Sequence, residues 1–264
     1  MRLEARLLLG HAAGLSVEDL VARGGEPAPP DVVAAMRQLT VRRVQREPMA
    51  YIVGQREFWG LPFKVTPAVL VPRPDSETLI EVAQRLMPDR QRPWRFLDLG
   101  VGSGCLLLTL LHEYPAARGV GLELSTAALG IAQDNASILG VGDRTTLVPG
   151  DWRLPDWHRR LGGPFDLIVS NPPYIEAAAI DRLMPEVARF EPKAALDGGP
   201  DGLAAYRSIA TAAPALLARE GLLLVELGEG QVPEIVKIFK AAGLAVEGPW
   251  KDLNGIDRIL SATH

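Results

Sequence analysis

Asn171-Pro172-Pro173-Tyr174 is the segment whose residue types imply chemistry most directly. It follows the apolar run Phe165-Asp166-Leu167-Ile168-Val169-Ser170, which reads as a buried strand. Two consecutive prolines cannot continue a hydrogen-bonded ladder, so the chain must leave the sheet there along a fixed, extended course. That sets an Asn carboxamide and a rigid backbone carbonyl together at a strand end. Such a pair accepts both hydrogens of a planar NH2 group and so orients it, as methyl transfer to an amide or an exocyclic amine requires. The plainer reading is a Pro-rich turn that caps a strand. From average residue usage the tetrapeptide arises by chance in roughly one chain of this length per thousand, and a second motif upstream favours the chemical reading.

That motif, Phe96-Leu97-Asp98-Leu99-Gly100-Val101-Gly102-Ser103-Gly104-Cys105, runs from an apolar strand through a glycine turn into the apolar helix Leu106 to His112. Glycines at 100, 102 and 104 let the backbone turn sharply and approach a ligand with no Cβ in the way. The spacing is neither the dinucleotide fingerprint nor a P-loop. No Lys or Arg stands in the turn to neutralise phosphate, and Asp98 would repel it. An acid beside a glycine turn suits a cationic cofactor without phosphate, such as S-adenosylmethionine (SAM). A tight turn with no ligand is the alternative. The next strand, Gly119 to Leu124, carries Glu123 where an α/β nucleotide fold places its acceptor for ribose hydroxyls. A third, Thr145 to Gly150, leads into Asp151-Trp152, an acceptor for the adenine amine and a ring to stack on the base. These sites fall at successive strand C-termini, the edge where open α/β sheets bind ligands.

A sheet must hold those strand ends in register. The chain's 264 residues leave room for one α/β domain and a smaller one. From about residue 75 strands and helices alternate, which predicts a doubly wound, Rossmann-like, mostly parallel sheet. Gly221 to Gly228 reads as a strand, Val232 to Ala241 as a helix, and Leu244 to Glu247 and Arg258 to Ala262 as two final strands. Asn254-Gly255 between them is a hairpin signal, so the last strand is expected antiparallel. Residues 1–50 read as a helical domain, with Ser16 capping a short helix and Asp31 capping a longer one that ends before Pro48. Arg37, Arg42, Arg43 and Arg46 give the longer helix a basic face, turned to solvent or to a partner. Residues 51–75, with Tyr51-Ile52-Val53-Gly54 and Phe58 to Val65, read as a β-hairpin linker, and 76–264 as the catalytic domain.

Composition narrows the function classes. A net charge of −4 argues against a protein that holds nucleic acid by bulk electrostatics. No apolar run reaches the length of about 18 residues that a membrane helix needs, and the amino terminus lacks the apolar core of a signal peptide, so a cytoplasmic protein is expected. Cys105 is the only cysteine, and His11, His112, His158 and His264 show no ligand spacing, so no disulfide or metal is expected.

The chain resembles the release-factor glutamine N5-methyltransferases over nearly its whole length. The marks are Val71-Pro72-Arg73-Pro74-Asp75-Ser76-Glu77, Asp98 to Gly104, Asn171 to Ile175, Glu191 to Gly199 and Asp252 to Arg258. Val101 and Cys105 depart from the family's usual Thr and Ala, and neither change removes a backbone contact. Asn-Pro-Pro-Tyr also occurs in methyltransferases of adenine N6, so the Val-Pro-Arg stretch is the more discriminating mark. The resemblance implies a SAM methyltransferase domain behind a helical substrate-docking domain. Its substrate would be the glutamine of the Gly-Gly-Gln loop in peptide chain release factors, and S-adenosyl-L-homocysteine would be the product. Asn171 and the Pro172 carbonyl would accept the two amide N–H bonds, Pro173 would hold them rigid, and Tyr174 would pack on the amide. Asp98, Gly100, Gly102 and Gly104 would surround the methionine moiety, with Asn171 also reaching the cofactor, Glu123 on the ribose, and Asp151 and Trp152 at the adenine. Arg73 would sit near the mouth, or serve as a salt-bridged linker residue. A monomer is expected, with no membrane or direct nucleic-acid partner. The alternatives are an adenine N6 methyltransferase, a ribosomal-protein glutamine methyltransferase, and a SAM-binding assembly factor without activity.

Overall fold

The computed structural model describes residues 2–264; Met1 lies outside them. Four helices come first: α1 (Arg2–Ala13), α2 (Val17–Ala22), α3 (Pro30–Val44) and α4 (Met49–Val53). An antiparallel hairpin of β1 (Gln55–Phe58) and β2 (Leu61–Lys64) follows. The remainder alternates: α5 (Glu77–Leu86), β3 (Arg95–Leu99), α6 (Cys105–Glu113), β4 (Arg118–Glu123), α7 (Thr126–Ile138), β5 (Thr145–Pro149) and β6 (Phe165–Ser170). It closes with α8 (Pro185–Ala188), α9 (Ala204–Leu216), β7 (Leu217–Glu226), α10 (Val232–Ala241), β8 (Ala245–Lys251) and β9 (Asp257–Thr263).

The large sheet has seven strands in the order β5-β4-β3-β6-β7-β9-β8. The five strands from β5 to β7 run parallel, and β9 runs antiparallel between β7 and β8, as the Asn-Gly turn predicts. Alternation splits the side chains between two faces. Phe96, Leu167 and Leu224 pack with α5 and α6 through Leu79, Leu107 and Leu111. Leu97, Ile168 and Leu223 pack with α9 and α10 through Tyr206, Ile209 and Phe239. The order reverses between β3 and β6, which makes their C-terminal ends the crevice where such sheets take ligands. Asp98 stands opposite Val169 in that pairing, so the glycine turn and Asn171 emerge side by side.

Three local expectations change. Helix α3 begins at Pro30 with Pro29 as its cap, and Asp31 lies inside the first turn; proline presets the first helical φ and needs no amide donor there. Tyr51, Ile52 and Val53 are helical in α4, stopped by Gly54 at φ 79°, so the hairpin strands occupy only 55–64. The β-favouring residues are overridden because the Tyr51 hydroxyl donates to the Val69 carbonyl at 2.6 Å and packs its ring in a small core. Three of the four arginines of the basic face are paired within the chain. Arg42 pairs with Glu47, Arg43 with Glu4 and Glu186, and Arg46 with Glu186, at 2.6–3.1 Å. Because Glu186 belongs to α8, this seam ties the amino-terminal helices to the segment after β6. Among the described residues no helix is long and apolar enough to cross a membrane.

Candidate active site

A cavity of about 580 Å³ opens at the C-terminal ends of β3 to β6. Asp98, Gly100 and Gly102 line it from the turn after β3, Glu123 from the end of β4, Asp151 and Trp152 from beyond β5, and Asn171 and Pro173 from beyond β6. Arg73 joins them from the segment before α5. Gly104, Pro172 and Tyr174 are not in the wall. A Cβ at Gly104, where φ is 85°, would stand 2.6 Å from the Leu108 side chain, so this glycine serves helix packing.

At one end of the cavity Glu123 is held by two backbone amides, Gly102 N–H at 3.0 Å and Ser125 N–H at 2.9 Å. Each carboxylate oxygen keeps a further lone pair for a ligand hydroxyl. Asp98 is 1% exposed and its Oδ1 has no partner. Burial pushes its carboxyl up to about 7; the Leu107 amide opposes this and Glu123 adds to it. A buried, unpartnered carboxylate oxygen on a cavity wall calls for a cation. The Trp152 ring lies over Gly100, where a Cβ would come within 3.0 Å of it. Acid, glycine backbone and ring together fit a cationic nucleoside such as SAM. Asp151 is already engaged: the Arg153 backbone amide and guanidinium donate to its carboxylate at 2.8–3.1 Å, which holds its carboxyl below the ordinary range. An adenine amine would have to share it with Arg153.

At the other end Asn171 Nδ2 donates to Ser76 Oγ at 3.2 Å, and Ser76 Oγ donates to Glu226 Oε2 at 2.5 Å. Among the described residues no donor takes Asn171 Oδ1 or the Pro172 carbonyl. Tyr174 packs beside the wall rather than in it. Its ring packs beside Gly228 and the α9–α10 core, and its carbonyl accepts from Gln231 Nε2 at 3.0 Å. The Glu191 to Gly199 motif clamps the tetrapeptide from outside. Gly198 N–H donates to the Ile175 carbonyl at 2.8 Å, and a Cβ at Gly198 would stand 2.8 Å from the Pro173 carbonyl. A Cβ at Gly202 would collide with the Tyr174 carbonyl.

Arg73 answers to both of its expected roles in part, since it lines the cavity and donates to both oxygens of Glu191 at 2.8 Å. The Glu191 side chain is 1% exposed. Arg73→Ala would leave that carboxylate buried and unpaired, at a cost of about 3–5 kcal/mol. Thermal or urea unfolding should therefore show a large loss for Arg73→Ala and much less for Arg73→Ala/Glu191→Gln. Equal losses would place the effect elsewhere.

Ser76 and Glu226 escaped the reading of the sequence as site residues. Ser76 lies in a quoted motif, and Glu226 is an acid within the apolar run Leu222 to Leu227, where a charge has no business unless it is partnered.

Residues 1–54 match the family model described as PrmC N-terminal domain, and residues 75–193 the model described as Methyltransferase small domain. A Bradyrhizobium diazoefficiens protein named release factor glutamine methyltransferase is 47% identical, over 98% of this chain and 87% of its own length. One of the same name from Geobacter sulfurreducens is 46% identical, over 98% of this chain and 88% of its own. Among solved structures, the catalytic domain of hMettl16 in complex with MAT2A 3'UTR hairpin 6 has a TM-score of 0.61 at 16% identity, covering 89% of this chain and 81% of that one, a likeness of fold alone. With relatives this similar over almost its full length, the chain belongs to the release factor glutamine methyltransferases.

Proposed function

We propose that this SAM-dependent protein methyltransferase transfers the cofactor's methyl group to the side-chain amide N5 of the glutamine in the Gly-Gly-Gln loop of peptide chain release factors. The observation that carries the reading is the pair of unclaimed acceptors, Asn171 Oδ1 and the Pro172 carbonyl, beside the glycine turn. An amide nitrogen is a poor nucleophile because its lone pair is delocalised into the carbonyl. Two fixed acceptors hold both N–H bonds and leave the nitrogen one direction in which to point. Alignment of this kind supplies roughly 7–11 kcal/mol. Pro173 and the glycine clamp keep the acceptors rigid, and Tyr174, packed on Gly228 and the α9–α10 core, braces the turn. The bound cofactor supplies an electrophilic sulfonium methyl. After transfer the nitrogen is acidic enough to lose its proton to water, so no general base is required.

Asp98 and the backbone of Gly100 and Gly102 hold the methionine end, Glu123 the ribose, and Trp152 the base, with Asp151 beside it. Glu123→Ala should raise the SAM dissociation constant about 10–150-fold, the value of a hydrogen bond to a charged group. The KM for release factor should stay within about twofold, as calorimetry and initial rates would measure. Residues 1–50 form the docking domain. Exposed Leu3, Val41 and Val44 offer a protein partner apolar surface there, while the paired arginines of α3 have their charge spent within the chain.

Tritiated SAM tests the reading with three acceptors: an unmodified release factor, the same factor with its Gly-Gly-Gln glutamine changed to alanine, and unmethylated DNA. Label on the first alone supports it. Label on DNA would replace it with adenine N6 chemistry, and equal label on both proteins would move the target away from the glutamine.

A further inference from the structure

We infer that Ser76 and Glu226 are positioning residues, a hydrogen-bond chain that decides which end of the Asn171 carboxamide faces the substrate. The inference rests on the reading of Asn171 as an acceptor for the substrate amide. The two ends of a carboxamide are nearly equal in shape, so packing cannot choose between them; only the polarity of a neighbour can. Ser76 supplies that polarity, because a hydroxyl has one hydrogen to give.

Glu226 is 1% exposed and ends β7, in which Val225 stands opposite Ser170 of β6, so Glu226 is level with Asn171. Its Oε2 lies 2.5 Å from Ser76 Oγ. A buried carboxylate needs a donor, and the Ser76 hydrogen goes to it. What Ser76 then presents to Asn171, 3.2 Å away, is a lone pair, which only an N–H can meet. Asn171 Nδ2 therefore turns inward and Oδ1 turns to the cavity as an acceptor. With the chain broken the carboxamide is free to reverse, and a reversed carboxamide would set donors against the substrate's own N–H bonds.

The chain is polar in one direction only while Glu226 is ionised. Protonated, it would donate to Ser76 Oγ, and the hydroxyl would turn its hydrogen on Asn171 Oδ1. Arg258 faces Glu226 from β9, Arg73 and Asp75 from the segment before α5, Tyr206 from α9, Tyr174 from the turn after β6 and Cys105 from α6. Burial raises its carboxyl to about 7, against the Ser76 hydrogen bond and Arg258. Activity should fall as pH drops through that range.

The experiment measures kcat, the KM for a release factor and SAM affinity for Ser76→Ala, Ser76→Thr, Glu226→Gln and Asn171→Ala. Rates are taken at saturating SAM, so that titration of the empty cofactor end does not enter. We expect Ser76→Ala to lower kcat about 10–100-fold with the SAM dissociation constant within twofold, and Ser76→Thr, which keeps the hydroxyl, to recover most of that loss. The acid limb of kcat near pH 7 should vanish in Glu226→Gln. Ser76→Ala with unchanged kcat, beside an inactive Asn171→Ala, would overturn the positioning chain and leave the amide-acceptor reading standing. A parallel loss of SAM affinity in Ser76→Ala would also overturn it, as a structural effect. An active Asn171→Ala would overturn the acceptor reading itself.

Discussion

Asn171→Ala lowers kcat for methyl transfer by about a thousandfold or more, while SAM affinity stays within about twofold. The expectation follows from what the side chain can touch. Asn171 Oδ1 receives nothing from the described protein, so its removal strips no internal partner except Ser76, which stays satisfied through Glu226. What is lost, on the proposed reading, is one of the two acceptors that aim the substrate nitrogen. A single preorganised polar contact of this type is worth about 10²–10³ in rate, and misalignment of the reacting atoms by about 1 Å costs a further 10². Asn171→Asp sharpens the test. A carboxylate still accepts but has no hydrogen for Ser76, so one hydroxyl proton must serve two carboxylates, and a negative charge stands beside the cofactor's sulfonium. SAM should bind at least as tightly to this variant while kcat remains low. Loss of SAM binding in step with turnover, in either variant, would make Asn171 part of the scaffold of the cavity.

The sites that could be read from the sequence are those where backbone topology fixes a residue's place. Asp98, Glu123, Asp151 and Asn171 each end or follow a strand, and once the strands are parallel neighbours their tips share an edge. Double proline and the spaced glycines mark where the chain must leave the sheet. The hairpin signal at Asn254-Gly255 likewise gives the antiparallel β9. Contacts between positions far apart in sequence were not legible. Ser76 meets Glu226 across 150 residues and Arg73 meets Glu191 across 118, and no local pattern encodes either pair. The packing of Tyr174 is hidden for the same reason, since its ring meets Gly228 and its carbonyl meets Gln231, both from beyond β7. Arg43 and Arg46 read as part of a binding face because their partner Glu186 lies 143 and 140 residues away. Tyr51 to Val53 differ for another reason: Tyr51 is buried against Val69 and its neighbours and Ile52 is buried too, and tertiary packing outweighs a propensity worth about 1 kcal/mol at most.

Asp98→Asn should stabilise the protein without cofactor and weaken SAM binding, two effects of opposite sign from one atom. With its carboxyl raised to about 7 against an unfolded value near 3.9, Asp98 binds its proton more tightly in the folded chain. Its contribution to stability is then fully present below about pH 4 and is lost as pH rises through about 7. The loss is on the order of 4 kcal/mol, reduced by whatever an unpaired asparagine NH2 costs in the same place. At pH 8 the variant's Tm should accordingly rise by several degrees, and the difference from wild type should shrink towards pH 4. SAM reverses the preference, because an ammonium beside Oδ1 favours the ionised carboxylate. Binding should therefore release a proton from Asp98 at and below pH 7, and affinity should fall as the solution is acidified. In Asp98→Asn the dissociation constant should be about 10–150-fold higher, the range for a hydrogen bond to a charged group, and much less sensitive to pH. Calorimetry in two buffers of different ionisation enthalpy separates that proton from the binding heat. A variant less stable without SAM and unchanged in its affinity would instead make the carboxylate a support of the glycine turn, and the cationic end of the ligand would have to be sought elsewhere in the cavity.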